Sequence, residues 1–226
     1  MRSSFASWMG NQNTSLVCSS SLILEMKIEQ KLILRDLLRV VLSIVFSVLY
    51  LPHFIFFFWS RNRQLILDDV KIAKGNLAIT LGDFLAMLLF LHHDSYFRVI
   101  FYHRLGPAIS LLLQWYRPGA ETFSISQNTV IEGGLKYAHP FATILNADFI
   151  GKNFNFRHGC TLGNKLDDKR RPTLGRNVTI GANVTIIGDI RIGDNVIIGA
   201  GSVIVKDIAR NSVVVGNPAR IIRETT

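Results

Sequence analysis

Along the second half of the chain, apolar residues recur on one register of six. They run through Ile144, Ile150, Phe156 and Leu162, then Leu174, Ile180, Ile186, Ile192, Ile198 and Ile204. Glycine follows several of them directly, as in Ile150-Gly151, Ile180-Gly181 and Ile198-Gly199. An α-helix repeats every 3.6 residues and a half-buried strand every two, so neither gives a period of six. The pattern predicts a left-handed parallel β-helix built from hexapeptides, three to each triangular coil, with every apolar residue of the register pointing into the prism. Gly175-Arg176-Asn177 and Gly193-Asp194-Asn195 supply residues that tolerate unusual backbone angles at the corners. Ile125 and Ile131 carry the same spacing out of phase, which starts the β-helix near Phe123 and takes it over 123–209, with 210–226 as a tail. The register is interrupted once, by GNKLDDKRRPT between Leu162 and Leu174. Six charges and a proline cannot bury a face, so 164–173 reads as a loop thrown out from the coil, where solenoid proteins often carry function.

The first half has a different period. Leu81, Phe84, Leu85, Leu88 and Leu89 recur at three- and four-residue spacing, and Gly106-Pro107 and Pro118-Gly119 punctuate the end, so 77–116 reads as helical within an α-helical region over 26–122. Residues 40–60, VVLSIVFSVLYLPHFIFFFWS, hold no acidic residue, lysine or arginine, and are long enough for a bilayer-spanning helix. Arginines flank both ends, so the positive-inside rule gives no orientation, and Pro52 in the middle predicts a kink. A re-entrant hairpin and a buried helix of a soluble helical region both fit. Residues 1–25, rich in serine and asparagine, read as a disordered or mis-called extension before a more ordinary start at Met26.

The chain of 226 residues is 49% hydrophobic and 18% charged, enough for a sizeable core. A net charge of +9 points to an anionic partner: nucleic acid, acidic lipid headgroups or a phosphorylated small molecule. No recognition-helix motif or aromatic-basic alternation supports nucleic acid. Cys18 and Cys160 give no disulfide framework and fit a reducing, cytoplasmic compartment, at the inner face of a membrane if 40–60 inserts. His92, His93 and His103 have no cysteine or carboxylate at matching helical spacing, so no metal is assigned to them.

Several stretches together carry a resemblance: DSYFRVIFYHRLG at 94–106, GGLKYAHPFATIL at 133–145, TLGNK at 161–165, IGANVTIIGDIRIGDNVIIGAGSVIVKDI at 180–208 and GNPARII at 216–222. They resemble the hexapeptide-repeat acyltransferases, in the serine acetyltransferase-like branch that includes relatives linked to surface polysaccharide biosynthesis. The resemblance implies a homotrimer of parallel prisms with acetyl-CoA in the groove between subunits. It also implies His139 as the base that takes the acceptor hydroxyl's proton during direct transfer, a task that suits histidine's unperturbed pKa near neutrality. His158, one coil and one residue further on, matches a supporting or substrate-contacting position. Gly163, Ala182 and Ala200 match positions where the coil surface approaches the pantetheine arm. Lys206 and Arg220 are candidates for the CoA phosphates, and Arg170 and Arg171 for an anionic acceptor or cofactor. Cys160 reads as a structural thiol, and Glu132 is a candidate for orienting the imidazole.

One departure bears on the acceptor. Serine-specific members carry an acid directly before the catalytic histidine and another about fifteen positions upstream, where this chain has Ala138 and Ser124. A sugar hydroxyl is therefore expected as the acceptor. Serine O-acetylation and a non-catalytic β-helix scaffold are the competing expectations.

Overall fold

The structure, a computed structural model, describes residues 3–165 and 170–224, with side chains from Leu24 onward. Helix α1 (Ser3–Val45) runs without a break through the expected extension 1–25. Serine and asparagine cost only tenths of a kcal/mol each in a helix, and no proline occurs before Pro52. The chain breaks at Phe46, passes through a 3₁₀ turn (Ser47–Tyr50) and enters α2 (Leu51–Trp59), bent 73° from α1. Pro52 lies in the first turn of α2. There its missing N–H has no partner to lose, so the proline starts a helix instead of kinking one. Among the described residues, no single helix is long and apolar enough to cross a membrane. Helices α3 (Arg63–Lys74), α4 (Asp83–His93), α5 (Ser95–Leu105) and α6 (Pro107–Gln114) complete the helical half. They share a core that includes Tyr50, Phe57, Met87, Leu91 and Phe101. Asp94 caps α5 by accepting from the Tyr96 and Phe97 N–H groups, and Gly106 at φ 88° turns the chain into α6.

From Phe123 the chain winds through about five coils. The first is β1 (Phe123–Ile125), β2 (Val130–Ile131) and β3 (Lys136–Ala138); the second is β4 (Thr143–Leu145), β5 (Phe149–Ile150) and β6 (Asn155–Arg157). The third is β7 (Thr161–Gly163), β8 (Thr173–Leu174) and β9 (Thr179–Ile180), and the fourth β10 (Thr185–Ile187), β11 (Arg191–Ile192) and β12 (Ile197–Ile198). The last is β13 (Val203–Ile204) and β14 (Ser212–Val215), and β15 (Arg220–Glu224) folds back antiparallel on β14. The strands stack into three parallel faces. The first holds β1, β4, β7, β10 and β13; the second β2, β5, β8 and β11; the third β3, β6, β9, β12 and β14. Because β14 pairs Val214 with Ile198, the solenoid continues past residue 209. That rung sits sixteen residues on instead of eighteen, so it falls outside the sixfold register.

At the corners between the second and third faces, Asn153, Asn177, Asn195 and Asn211 have φ of 62°, 55°, 58° and 58°. Their amides form a ladder, donating from each to the next at 3.0, 2.9 and 2.9 Å. Asparagine tolerates the left-handed region there and uses its side chain to close the turn.

The sixfold register holds from Ile150 to Ile204, but its first member does not. Leu145 is fully buried and Ile144 lies 49% exposed. Leu145 pairs with Ile125, twenty residues before it, and with Leu162, seventeen after. The turn from His139 to Ala142 holds two residues more than its counterpart on the next coil, His158-Gly159, with positive φ at both ends, 49° and 51°. The step from Leu145 to Ile150 is one residue short of a hexad, and the net surplus of one is why Ile125 and Ile131 run out of phase with the later coils. The 164–173 loop does the reverse without loss of phase, since it adds six residues and Leu162 pairs with Ile186, twenty-four on.

The helices dock on the first coil through a buried ion pair. Arg104 Nε lies 3.1 Å from Asp69 Oδ2, both side chains nearly inaccessible. The guanidinium also donates to the carbonyls of Ile131 and, at 2.9 Å, Glu132. Asp69 Oδ1 accepts from the N–H groups of Gly134 and Leu135, both at 2.9 Å. Burial pushes the Asp69 carboxyl up, and Arg104 with the two N–H donors pulls it down. Nearby, His103 donates to the Thr129 carbonyl at 3.0 Å, and burial lowers its pKa to about 4.

Two stability predictions follow from this geometry. Leu145→Ala costs about 2–5 kcal/mol by chemical denaturation, as for other buried leucines, whereas Ile144→Ala stays within ~0.5 kcal/mol; the opposite order would restore the uninterrupted register. Arg104→Ala strands a buried carboxylate and two carbonyls, so it lowers unfolding free energy by about 3–5 kcal/mol, and a melting temperature equal to the wild type would rule out the docking role.

Candidate active site on one edge of the β-helix

The corner that joins the third face to the first is where the candidate residues gather. Strands β3, β6, β9 and β12 each end at this edge, followed by His139, His158, Ala182 and Ala200 respectively. Backbone hydrogen bonds stitch the column together. Gly159 N–H donates to the Phe141 carbonyl at 3.0 Å, Asn183 N–H to His158 at 2.9 Å and Gly201 N–H to Ala182 at 2.8 Å. Because β3 and β6 pair Ala138 with Arg157, the histidines that follow sit on adjacent coils, as their spacing predicts. The coils are stacked too tightly for ordinary side chains. A Cβ on Gly159, which adopts φ 69°, would fall 2.0 Å from Asn183 Oδ1, and one on Gly181 would fall 2.5 Å from the Ala200 nitrogen.

His139 heads this column, exposed to solvent and with its backbone at φ 49°. The left-handed region costs an L-residue on the order of 1 kcal/mol, and such strain collects at functional sites. Neighbouring groups hold the turn. The Phe141 N–H donates to the His139 carbonyl at 2.8 Å across a buried Pro140. Tyr137 donates its hydroxyl to Asp94 Oδ2 at 2.7 Å, which ties β3 to the cap of α5. Burial pushes the Tyr137 phenol well up, and the Asp94 carboxylate adds to the shift.

His158 is half-buried, and its ring stacks on Phe141 with centroids 5.0 Å apart and planes 2° apart. The sequence reading gave Phe141 no role. The signal available was its spacing of seventeen residues from His158, the same interval that pairs Leu145 with Leu162.

The other candidates lie elsewhere. Gly163 ends β7 at the opposite edge of the first face, where a Cβ would meet nothing within 4 Å. The loop leaves from that edge, and Lys206 follows β13 on the same side. Lys206 and Arg220 share a cavity of about 260 Å³ with Val203 and Pro218. Arg171 is held at the loop's base, donating from Nε to Asp148 Oδ1 at 2.7 Å and from Nη1 to Asn146 Oδ1 at 3.2 Å. Arg170 lies 2.6 Å from Asp189. Glu132 stands at a different corner, where its carboxylate accepts from Lys152 N–H at 2.9 Å and faces Arg176. The β3 strand separates it from His139, so it does not orient the imidazole. Cys160 is fully buried and donates its thiol to the Gly181 carbonyl at 3.2 Å, and burial pushes its pKa up.

Residues 171–206 match the family model described as bacterial transferase hexapeptide, six repeats. The chain carries the hexapeptide repeat of bacterial transferases. The hexapeptide-repeat chain is similar to serine acetyltransferase 2 of Arabidopsis thaliana, 45% identical over 33% of this chain and 24% of that protein. It is also similar to the putative colanic acid biosynthesis acetyltransferase WcaB of Escherichia coli, 44% identical over 37% of this chain and 52% of that one. The matched stretch thus spans a quarter to about half of those relatives' length. Among solved structures, the serine acetyltransferase of Neisseria gonorrhoeae superposes with a TM-score of 0.60 at 28% identity, over 73% of this chain and 67% of that chain.

Because Cys160 is sealed inside the hexapeptide coil, iodoacetamide leaves its peptide unmodified in the folded protein and labels it after unfolding. Labelling of native protein, read by peptide mass mapping, would contradict an interior structural thiol.

Proposed function

We propose that the protein is an acetyl-CoA-dependent O-acetyltransferase with a saccharide hydroxyl as acceptor and His139 as general base. The observation that carries this reading is the edge column: a histidine in strained backbone, exposed at the head of a row of small residues, Ala182 and Ala200, that leave the coil surface open. In the proposed reaction the imidazole takes the hydroxyl proton as the oxygen attacks the thioester carbonyl, and the CoA thiolate leaves and is reprotonated. His158 supports the acceptor beside it. The other cofactor residues, Gly163 and Lys206, lie across the first face from the alanines. That division fits a cofactor site completed by a second copy, in keeping with a homotrimer in which one subunit's edge meets its neighbour's. Lys206 and Arg220, converging on one cavity, suit the CoA phosphates. No metal enters the mechanism.

The acceptor reading rests on what surrounds His139. Ala138 and Ser124 supply no carboxylate for an amino acid's ammonium group. The exposed Phe141 ring offers a flat apolar surface suited to a pyranose. Similarity to a protein named for colanic acid biosynthesis points the same way. Arg170 and Arg171, on the loop at the opposite edge of the first face, would reach an anionic acceptor or cofactor at His139 only from a neighbouring copy, and Arg171's ion pair with Asp148 gives it an anchoring task as well.

The proposal is tested by following release of free CoA thiol from acetyl-CoA with a panel of sugars, nucleotide sugars and L-serine. Turnover with saccharides and none with serine is expected, and the reverse would overturn the acceptor. His139→Ala is expected to lower kcat/KM about 10²–10⁴-fold, the usual worth of a general base, with acetyl-CoA affinity retained. Loss of turnover in His158→Ala but not in His139→Ala would move the base.

A further inference from the structure

The bend between α1 and α2 leaves apolar side chains facing outward. Val45, Val48 and Leu49 at this elbow are 66%, 69% and 44% exposed. Helix α6 packs against the elbow, with the Tyr116 hydroxyl donating to the Leu49 carbonyl at 2.7 Å. It adds Leu111, Leu112 and Trp115, exposed to 78%, 60% and 89%. Pro52, Leu112 and Trp115 line one shallow apolar cavity with Val48 and Leu49, so the two segments form a continuous surface. Soluble proteins rarely leave a contiguous apolar patch above a few hundred Å² open to water.

Charge and aromatic placement identify what covers it. From Leu37 to Leu67 the chain holds no acidic residue, and Asp36, just before, is fully buried. Arg35 and Arg39 precede the uncharged residues 40–60 and Arg61 and Arg63 follow them, all four solvent-accessible. Trp59, 81% exposed, and Trp115 have the amphipathic rings that settle at headgroup depth. A second copy of this surface would bring two basic rims together, whereas a bilayer bearing acidic lipids neutralises them. The 73° elbow prevents the pair from forming a straight span, so its geometry suits insertion part-way into one leaflet.

We propose that the α1–α2 elbow and α6 together form a monotopic docking surface for an anionic lipid bilayer. Neither segment suffices alone, because the elbow supplies the apolar wedge and basic flanks while α6 widens the wedge and adds Trp115. Docking would hold the β-helix at the membrane surface, where a lipid-linked acceptor resides.

The test uses the full chain, floated through a density gradient with vesicles of phosphatidylcholine alone or mixed with phosphatidylglycerol. Binding to the anionic mixture at least about tenfold tighter is expected, since each surface arginine adds about 1 kcal/mol. A Leu111→Glu/Trp115→Glu variant and a separate Val48→Glu variant are each expected to lose about tenfold or more of that binding while keeping the wild-type circular dichroism spectrum. Val130→Glu, at an exposed position on the β-helix, is expected to float like the wild type. Wild-type protein that stays unbound with both vesicle types would overturn the proposal, as would wild-type flotation of both patch variants. So would patch variants that only split a soluble oligomer, which would identify a second copy as the occupant. None of these readouts depends on turnover, so the membrane and acetyl-transfer readings stand or fall separately.

Discussion

The buried Asp69–Arg104 pair is the interaction on which the rest of the structure depends. A parallel β-helix must start somewhere, and its first coil has no coil below it to satisfy its backbone. Here Arg104 takes the carbonyls of Ile131 and Glu132, and Asp69 takes the N–H groups of Gly134 and Leu135. One ion pair thus caps four backbone groups at the corner between β2 and β3. Two charges removed from water are costly on their own, so the arrangement persists because each charge also serves backbone partners. Through β3, the same anchor leads directly to His139.

Above that anchor the solenoid repeats with little variation, and the active-site candidate sits where the repeat is violated. Two additional residues between Ala138 and Thr143 accompany positive φ at His139 and Ala142, and with the short step that follows they shift the phase of everything before them by one. The Tyr137–Asp94 bond and buried Pro140 hold the turn in this unfavourable geometry. Strain at the imidazole is thus maintained by contacts to the helical half as well as by the coil. The helices therefore do more than cover an end: they fix the backbone that presents His139, and their outer surface carries the exposed apolar patch at the elbow.

Most of the β-helix was legible in the chain because a period of six has few structural explanations. The interior face from Ile150 to Ile204, the asparagine corners and the excursion after Leu162 follow from residue spacing alone. The column of His139, His158, Ala182 and Ala200 was legible in a weaker sense. Spacings of nineteen, twenty-four and eighteen, the second being a coil plus the six residues of the excursion, align those residues once the coil is assumed, but nothing local states that they share an edge while Gly163 and Lys206 share another.

What the sequence by itself determined is the repeat, because inward positions need apolar side chains and corners need residues that accept left-handed backbone, both of which are local demands. The tertiary structure alone decided three things. It turned Leu145 inward and Ile144 outward, since the phase depends on how the two extra residues of the His139 turn are absorbed in three dimensions. It sent Glu132 to a corner remote from His139, since seven residues along a triangular coil lead round to another edge. It also joined α6 to the elbow of α1 and α2, sixty residues earlier in the chain, because only packing determines which exposed apolar faces become one surface.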